Sequence, residues 1–310
     1  MKIIFFGLGS IGLRHARILK KFKNLRLYSY RTFKGQIQNN LGIEEVKDFR
    51  AIKKIKPDVA FITNPTSLHL PTAIDCAKLK INLFIEKPLG HKTQDINKLL
   101  RIVSLNDLTT YVAYVLRFHP VIKALKTYMK TLNFFHMRMM ATSYLPDWRP
   151  QIDHLKSYSA HQKMGGGVIN DLSHELDLAQ FILGPIKKIK GRFDRRSQVT
   201  IDTEDYADIF VETKSGPANI HINFLSQMEQ RLIQMDFKEK SIVGDVLHST
   251  VTEYKHGQPV KRIQFKEGYA ECYQEQLRYF FRNIKNPRLM NNVFEASQLT
   301  RKIQELKGKK

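Results

Sequence analysis

Near its N-terminus the chain reads Gly7-Leu8-Gly9-Ser10-Ile11-Gly12, a GxGxxG spacing set directly after an apolar run at 2–6 and opening a helical stretch. The chemistry this suits is the binding of a dinucleotide pyrophosphate. Glycine at the first position permits a tight turn, at the second it lets the backbone approach phosphate oxygens, and at the third it lets helix pack on strand. Ser10 and Ile11 would then begin a helix whose free amides and positive dipole end favour an anion. The spacing alone also occurs in ordinary glycine turns, but here the strand–turn–helix setting is complete and further βα units follow. The choice of dinucleotide falls to the end of the second strand, about 20 residues on, where an acid would take the ribose hydroxyls of NAD. This chain has Leu27-Tyr28-Ser29-Tyr30-Arg31-Thr32 there, with no Asp or Glu before Glu44. Arg31 can meet a 2′-phosphate with charge-assisted hydrogen bonds and lie flat on adenine, and Ser29 and Thr32 can add hydroxyl donors. The plainer reading is a solvated strand-end arginine. These residues point to NADP, with NAD as the alternative.

The elements that must hold such a site can be read from periodicity. Apolar runs at 2–6, 25–30, 59–62, 83–85 and 111–114 alternate with amphipathic stretches at 11–21, 49–55, 68–79 and 93–104. That alternation is the pattern of a parallel sheet with crossover helices. Pro71 fits the first turn of the third helix, where proline is tolerated. After residue 118 the pattern changes. A helix at 121–130 and a strand at 134–141 precede an irregular aromatic segment, 144–164, which holds the single tryptophan, Trp148. Its length without periodicity suggests a functional loop. A helix at 168–183 ends at Gly184-Pro185. Residues 186–265 read as successive strands with turns at Lys214-Ser215-Gly216-Pro217 and His256-Gly257-Gln258-Pro259, which argues for an antiparallel sheet. Helices at 269–284 and 291–306 close the chain. The expected organisation is an α/β domain over 1–118 and an α+β domain over 119–310.

Composition narrows the class. A chain of 310 residues with 42% hydrophobic and 26% charged residues is long enough for two cores and has the balance of a globular protein. No run reaches the roughly 18 apolar residues of a membrane span. The apolar start ends in a glycine turn followed by Arg14, His15 and Arg17, which reads as a buried strand rather than a secretory leader. Cys76 and Cys272 stand far apart, outside any metal-ligand spacing, so no metal and a cytoplasmic setting are expected. Against 29 acids the chain carries 51 Lys and Arg, a net charge of +22. The excess is spread along the chain without a recognition motif, so a solvated basic surface is the better reading than nucleic-acid binding.

Four further motifs follow in order. Thr63-Asn64-Pro65-Thr66-Ser67-Leu68-His69 comes after one strand and Glu86-Lys87-Pro88 after the next. Arg117-Phe118-His119-Pro120 stands at the junction, and Gly165-Gly166-Gly167-Val168-Ile169-Asn170-Asp171-Leu172-Ser173-His174-Glu175-Leu176-Asp177 lies in the second domain. Together with the glycine element, the set resembles the glucose–fructose oxidoreductase / inositol dehydrogenase / rhizopine-catabolism (Gfo/Idh/MocA) family across essentially the whole chain. The resemblance implies a Rossmann domain, then an α+β domain whose open, mostly antiparallel sheet often mediates oligomerisation, hence a homodimer or homotetramer. It implies that Lys87 points at the nicotinamide ribose and the reacting hydroxyl, and that Glu86 lines the cofactor pocket. Asn64, Pro65 and His69 would border the cofactor, and Asp171 and His174 would complete the catalytic group. Many family members place the aspartate four residues before the histidine; here the spacing is three.

The side chains suit these roles on their own chemistry. Oxidising a carbinol needs a base near neutral pKa for the hydroxyl proton, which histidine supplies. A lysine can stabilise the developing alkoxide. If 168–183 is one helix, Asp171, His174 and Asp177 share a face, and the glycines before it let the backbone pass close to a ligand. Each also has a plainer reading: a surface lysine, a core or capping histidine, a helix-capping aspartate. In the aromatic segment, Trp148, Arg149 and Tyr158 offer ring faces and a cation suited to a sugar, the alternative being a packed loop. Arg149, or Arg117 beside His119, could pair with an anionic group on the substrate. The expected activity is an NAD(P)-dependent oxidoreductase moving hydride between nicotinamide and a carbinol or keto carbon of a sugar-like substrate. The alternative is a non-catalytic dinucleotide- or sugar-binding regulator of the same fold, against which Lys87 and His174 argue.

Overall fold

The computed structural model describes residues 1–31, 39–148, 153–196 and 201–308; the candidate residues Thr32 and Arg149 lie outside them. The chain forms two units, Met1–Ala113 with Leu277–Thr300 and Tyr114–Gln276 with Arg301–Lys310. The first change of unit comes after Ala113, and a C-terminal segment rejoins the first unit.

The first unit contains β1 (Lys2–Phe6), α1 (Ser10–Leu19), β2 (Arg26–Tyr30), β3 (Glu44–Val46), α2 (Phe49–Ile55), β4 (Val59–Ile62), α3 (His69–Lys78), β5 (Asn82–Ile85), α4 (Ile96–Leu105) and β6 (Thr110–Val112). All six strands pair in parallel, in the order β3-β2-β1-β4-β5-β6. After Lys2, β1 is an unbroken, buried apolar run, as is all of β4, which is what a strand covered on both faces must be. Buried residues of α1 are Gly12, His15, Ala16 and Leu19, a stripe at helical spacing. Beneath it Phe61 stacks on Phe84 at 4.4 Å and Phe280 meets Phe84 edge-on at 5.3 Å. Pro71 does stand in the first turn of α3. From β1 the chain moves outward to β2 and β3, then crosses back to β4 on β1's other side. The carboxyl ends of β1 and β4 therefore flank the point where strand order reverses, the place where open α/β sheets bind ligands.

The second unit contains α5 (Pro120–Tyr128), β7 (Phe134–Tyr144), α6 (Val168–Asp171), α7 (Ser173–Leu183), β8 (Ile186–Asp194), β9 (Tyr206–Thr213), β10 (Pro217–Asn223), β11 (Leu225–Phe237), β12 (Ser241–Asp245), β13 (Thr250–Lys255) and β14 (Gln258–Gln264). Its eight-stranded sheet runs β14-β13-β12-β11-β7-β10-β9-β8, antiparallel throughout except where β10 lies parallel to β7. Helices α5, α6 and α7 pack on the sheet. A shallow depression on the sheet is lined by Arg138, Met140, Asp208, Phe210, His221 and Gln234. The closing helices are α8 (Tyr269–Arg282) and α9 (Val293–Lys307), and each passes from one unit to the other. Where described, residues 144–164 hold only short 3₁₀ turns, among them Leu145–Trp148 and Tyr158–Ala160. Among the described residues no helix is long and apolar enough to cross a membrane.

Candidate active site

Four of the sequence-nominated segments of the first unit sit at carboxyl ends of neighbouring parallel strands: residues 7–12 after β1, Arg31 after β2, 63–69 after β4 and 86–88 after β5. Hydrogen bonds join three of them. Thr63 Oγ1 donates to the Gly7 carbonyl at 2.6 Å, and a side chain at Gly12 would come within 2.5 Å of that same oxygen. His15, on the buried stripe of α1, donates through Nε2 to Glu86 Oε1 at 2.7 Å, while Glu86 Oε2 accepts from the Lys87 amide at 3.3 Å. The ring nitrogens of His69 lie 2.7 Å from the Pro88 carbonyl and 2.9 Å from the Asn64 carbonyl. His69 thus braces the loop after β4 against the loop after β5. Burial holds its pKa below the ordinary histidine value, opposed by the two carbonyls. Asn64 donates to Thr72 Oγ1 at 3.0 Å, and Pro65 opens the turn Thr66–Leu68. Lys87 is half-buried.

This edge fits a dinucleotide phosphate. Among the described residues no side chain caps the N-terminus of α1, and no acid occupies its first turn. A Cβ built on Gly9 would meet nothing within 4 Å, so the second glycine leaves open space in front of the helix end. Ser10 is exposed and Ile11 half-buried beside it. Arg31 is less available than the sequence suggests. Its Nη1 donates to Glu45 Oε1 at 3.0 Å, and its side chain is only 6% exposed. Glu45 belongs to β3, paired in register with Ser29.

In the second unit the expected helix over 168–183 is broken at Leu172, whose φ of −96° and ψ of 28° separate α6 from α7. Asp171 therefore ends one short helix and His174 lies in the first turn of the next, so the shared-face argument does not apply to them. Both are buried, and the His174 ring meets Tyr114 edge-on at 5.6 Å. Burial first, and then the charge of Asp177, pushes the Tyr114 hydroxyl well above the usual tyrosine range. Two of the three glycines are required by close packing within the protein. A side chain at Gly166 would strike the Tyr158 carbonyl at 2.3 Å, and one at Gly167, where φ is +111°, would strike the Glu204 carboxylate at 2.6 Å. Arg117, a candidate for an anionic substrate, is instead held in a buried bidentate pair: Nε and Nη2 donate to Asp177 at 2.8 and 2.6 Å. His119 is fully buried, and neither ring nitrogen has a partner among the described residues. Burial, with the charges of Arg231 and Lys123, lowers its pKa to about 4. Trp148 donates through Nε1 to Ser143 Oγ at 2.9 Å and packs edge-on to Phe224 at 4.9 Å, leaving part of its ring exposed. Tyr158 is half-buried in its 3₁₀ turn. Among the described residues no group of three or more His, Cys, Asp or Glu could hold a metal ion.

With this geometry in place, comparison with known proteins decides the family. Residues 1–114 match the oxidoreductase family model with an NAD-binding Rossmann fold (GFO_IDH_MocA), and residues 136–243 match the GFO/IDH/MocA C-terminal domain. The chain belongs to the Gfo/Idh/MocA oxidoreductases. It is 25% identical over 306 residues to the myo-inositol 2-dehydrogenase of Thermotoga maritima, across 92% of this chain and 89% of that one. Levoglucosan dehydrogenase in complex with NADH and levoglucosan superposes with a TM-score of 0.83 at 15% identity, covering 99% of this chain and 96% of the other. GenD2 from gentamicin A biosynthesis, in complex with NAD, gives the same TM-score and identity, with 99% and 93% covered. Those two likenesses are of fold.

Several polar partners in this Gfo/Idh/MocA chain have no motif to announce them. His15 carried a faint signal, being the one titratable residue in the buried stripe of α1. Glu45 gave none, because its partner lies 14 residues away; Glu175, which pairs with Arg231 at 2.9 Å, stands inside the quoted segment of the second domain, but nothing there points to an arginine 56 residues on.

Proposed function

We propose that this oxidoreductase uses NAD(P)(H) to move hydride between the nicotinamide and a carbinol or keto carbon of a sugar or sugar derivative. The observation that carries this reading is the open helix end at Gly9, set at the reversal of strand order, with Asn64 and Lys87 in the segments that follow the next two strands. Residues 7–12 would hold the pyrophosphate, Arg31 the adenosine end, and Asn64, Pro65 and Glu86 would border the nicotinamide half. When bound, the dinucleotide supplies the hydride acceptor or donor. In the oxidative direction the His174 imidazole would take the hydroxyl proton, the Lys87 ammonium would stabilise the negative charge growing on that oxygen, and Asp171 would orient the histidine. Relatives named for myo-inositol, levoglucosan and UDP-N-acetylglucosamine support a polyhydroxylated substrate. With Arg117 committed to Asp177, recognition of an anionic substrate group rests on Arg149. Trp148 and Tyr158 would lie against sugar ring faces.

The test is an absorbance screen with NAD⁺ and NADP⁺ against myo-inositol, levoglucosan and UDP-N-acetylglucosamine, followed by Lys87→Ala and His174→Asn. Each substitution should lower kcat by about 10²- to 10⁴-fold with dinucleotide affinity retained. Unchanged turnover in either variant overturns the role of that residue. Failure to bind any dinucleotide overturns the whole reading.

The sheet of the second unit supports self-association as a homodimer or homotetramer. Met140 and Phe210 are 37% and 38% exposed in its shallow depression, an apolar surface flanked by Arg138 and Asp208. Phe210→Asp should lower the oligomer mass measured by sedimentation, and an unchanged mass would rule this face out.

A further inference from the structure

We propose that Glu45 sets the dinucleotide preference of this site toward NAD(H), by holding Arg31 and adding a negative charge at the adenosine end; this rests on the dinucleotide reading above. The end of β2 has no acid of its own. The fold supplies one from the neighbouring strand, because parallel pairing of β2 with β3 puts Glu45 in register with Ser29, two residues before Arg31. The carboxylate takes Arg31 Nη1 at 3.0 Å and accepts from Asn39 Nδ2 at 3.4 Å. Its own side chain remains 30% exposed, against 6% for Arg31.

An arginine that has already spent a fork position on a carboxylate offers less to an incoming anion. A 2′-phosphate brings a charge of about −1.5 to −2 and would stand close to the existing −1 of Glu45. It must either share the guanidinium with that carboxylate or displace it. A ribose 2′-hydroxyl meets no such repulsion and can donate to an acid. The same two residues therefore read differently together than Arg31 does alone: the cation favours phosphate, and its partner opposes it.

The experiment is calorimetric binding of ADP-ribose and 2′-phospho-ADP-ribose, which report on the adenosine end without turnover. Wild type should bind ADP-ribose more tightly. Glu45→Gln keeps a hydrogen-bond acceptor but removes the charge, and should shift the ratio toward the phosphorylated ligand by about three- to tenfold, the scale of a partly exposed ion pair acting on a multiply charged phosphate. Against an Arg31→Gln background the same Glu45→Gln change should give a smaller shift, since the part that acts through the arginine is gone and only the relief of repulsion remains; an equal shift in both backgrounds overturns the holding of Arg31. A wild type that prefers the phosphorylated ligand overturns the inference, as does a ratio unmoved by Glu45→Gln. Binding of neither ligand by wild type overturns the dinucleotide reading itself. Unaltered circular dichroism would show that the variants remain folded.

Discussion

Both oxygens of Asp177 take nitrogens of Arg117, and the two side chains are 1% and 3% exposed. A pair this deep is costly to break, because the survivor keeps a buried charge that has lost its bidentate partner. Asp177→Asn should lower the unfolding free energy by about 3–5 kcal/mol in urea titration, whereas a paired Arg117→Met/Asp177→Leu change should recover most of that loss. A loss below 1 kcal/mol for the single variant would contradict a buried ionic role. The pair also shows what a linear reading of the site could reach. The glycine spacing, Lys87 and His174 could be nominated because their chemistry is attached to short motifs. Whether a cation is free for a ligand is not legible there, because it depends on partners such as Asp177 for Arg117 or Glu45 for Arg31, which adjacency in space and not in sequence supplies.

At the scale of the element, the strand–turn–helix after β1 separates two uses of glycine that look alike in a motif. Gly12 is a packing position, where an added Cβ would lie 2.5 Å from the Gly7 carbonyl; Gly9 is an approach position facing open space in the ordinary extended backbone region. Gly9→Ala should therefore leave the melting temperature nearly unchanged while weakening dinucleotide binding, because the new methyl stands where phosphate would approach. Gly12→Ala should destabilise the fold by about 1–3 kcal/mol, as overpacking does. Equal melting losses in both variants would undo that division. Strongly periodic or continuously apolar elements were readable in advance: β1, β4 and α2 fall where the pattern puts them. β3 was not, since Glu44-Glu45-Val46 has neither length nor alternation and exists only by pairing with β2. The break at Leu172 was equally hidden, because the apolar spacing of α6 continues into α7 and the interruption lies in backbone torsions alone.

For the molecule as a whole, acid should be the sharpest destabiliser. The chain starts from a formal charge of +22 with eleven histidines still to protonate, so falling pH adds like charge to an already basic surface. That part is diffuse and should weaken in added salt. His119 adds a specific part. Its folded pKa is lowered to about 4 by burial and by Arg231 and Lys123, against an unfolded value of 6.5. Between those values the unfolded chain binds a proton that the folded chain refuses, so stability is complete above pH 6.5 and declines as pH falls toward 4. The linkage amounts to about 3 kcal/mol over that window. His119→Asn removes the titrating group at some cost in absolute stability, so the informative quantity is the slope of unfolding free energy against pH, measured in high salt to suppress the diffuse part. The variant should be nearly flat from pH 6.5 to 4 where wild type falls. Parallel slopes would mean that the folded protein protonates His119 readily, and would place the acid sensitivity in the surface charge instead.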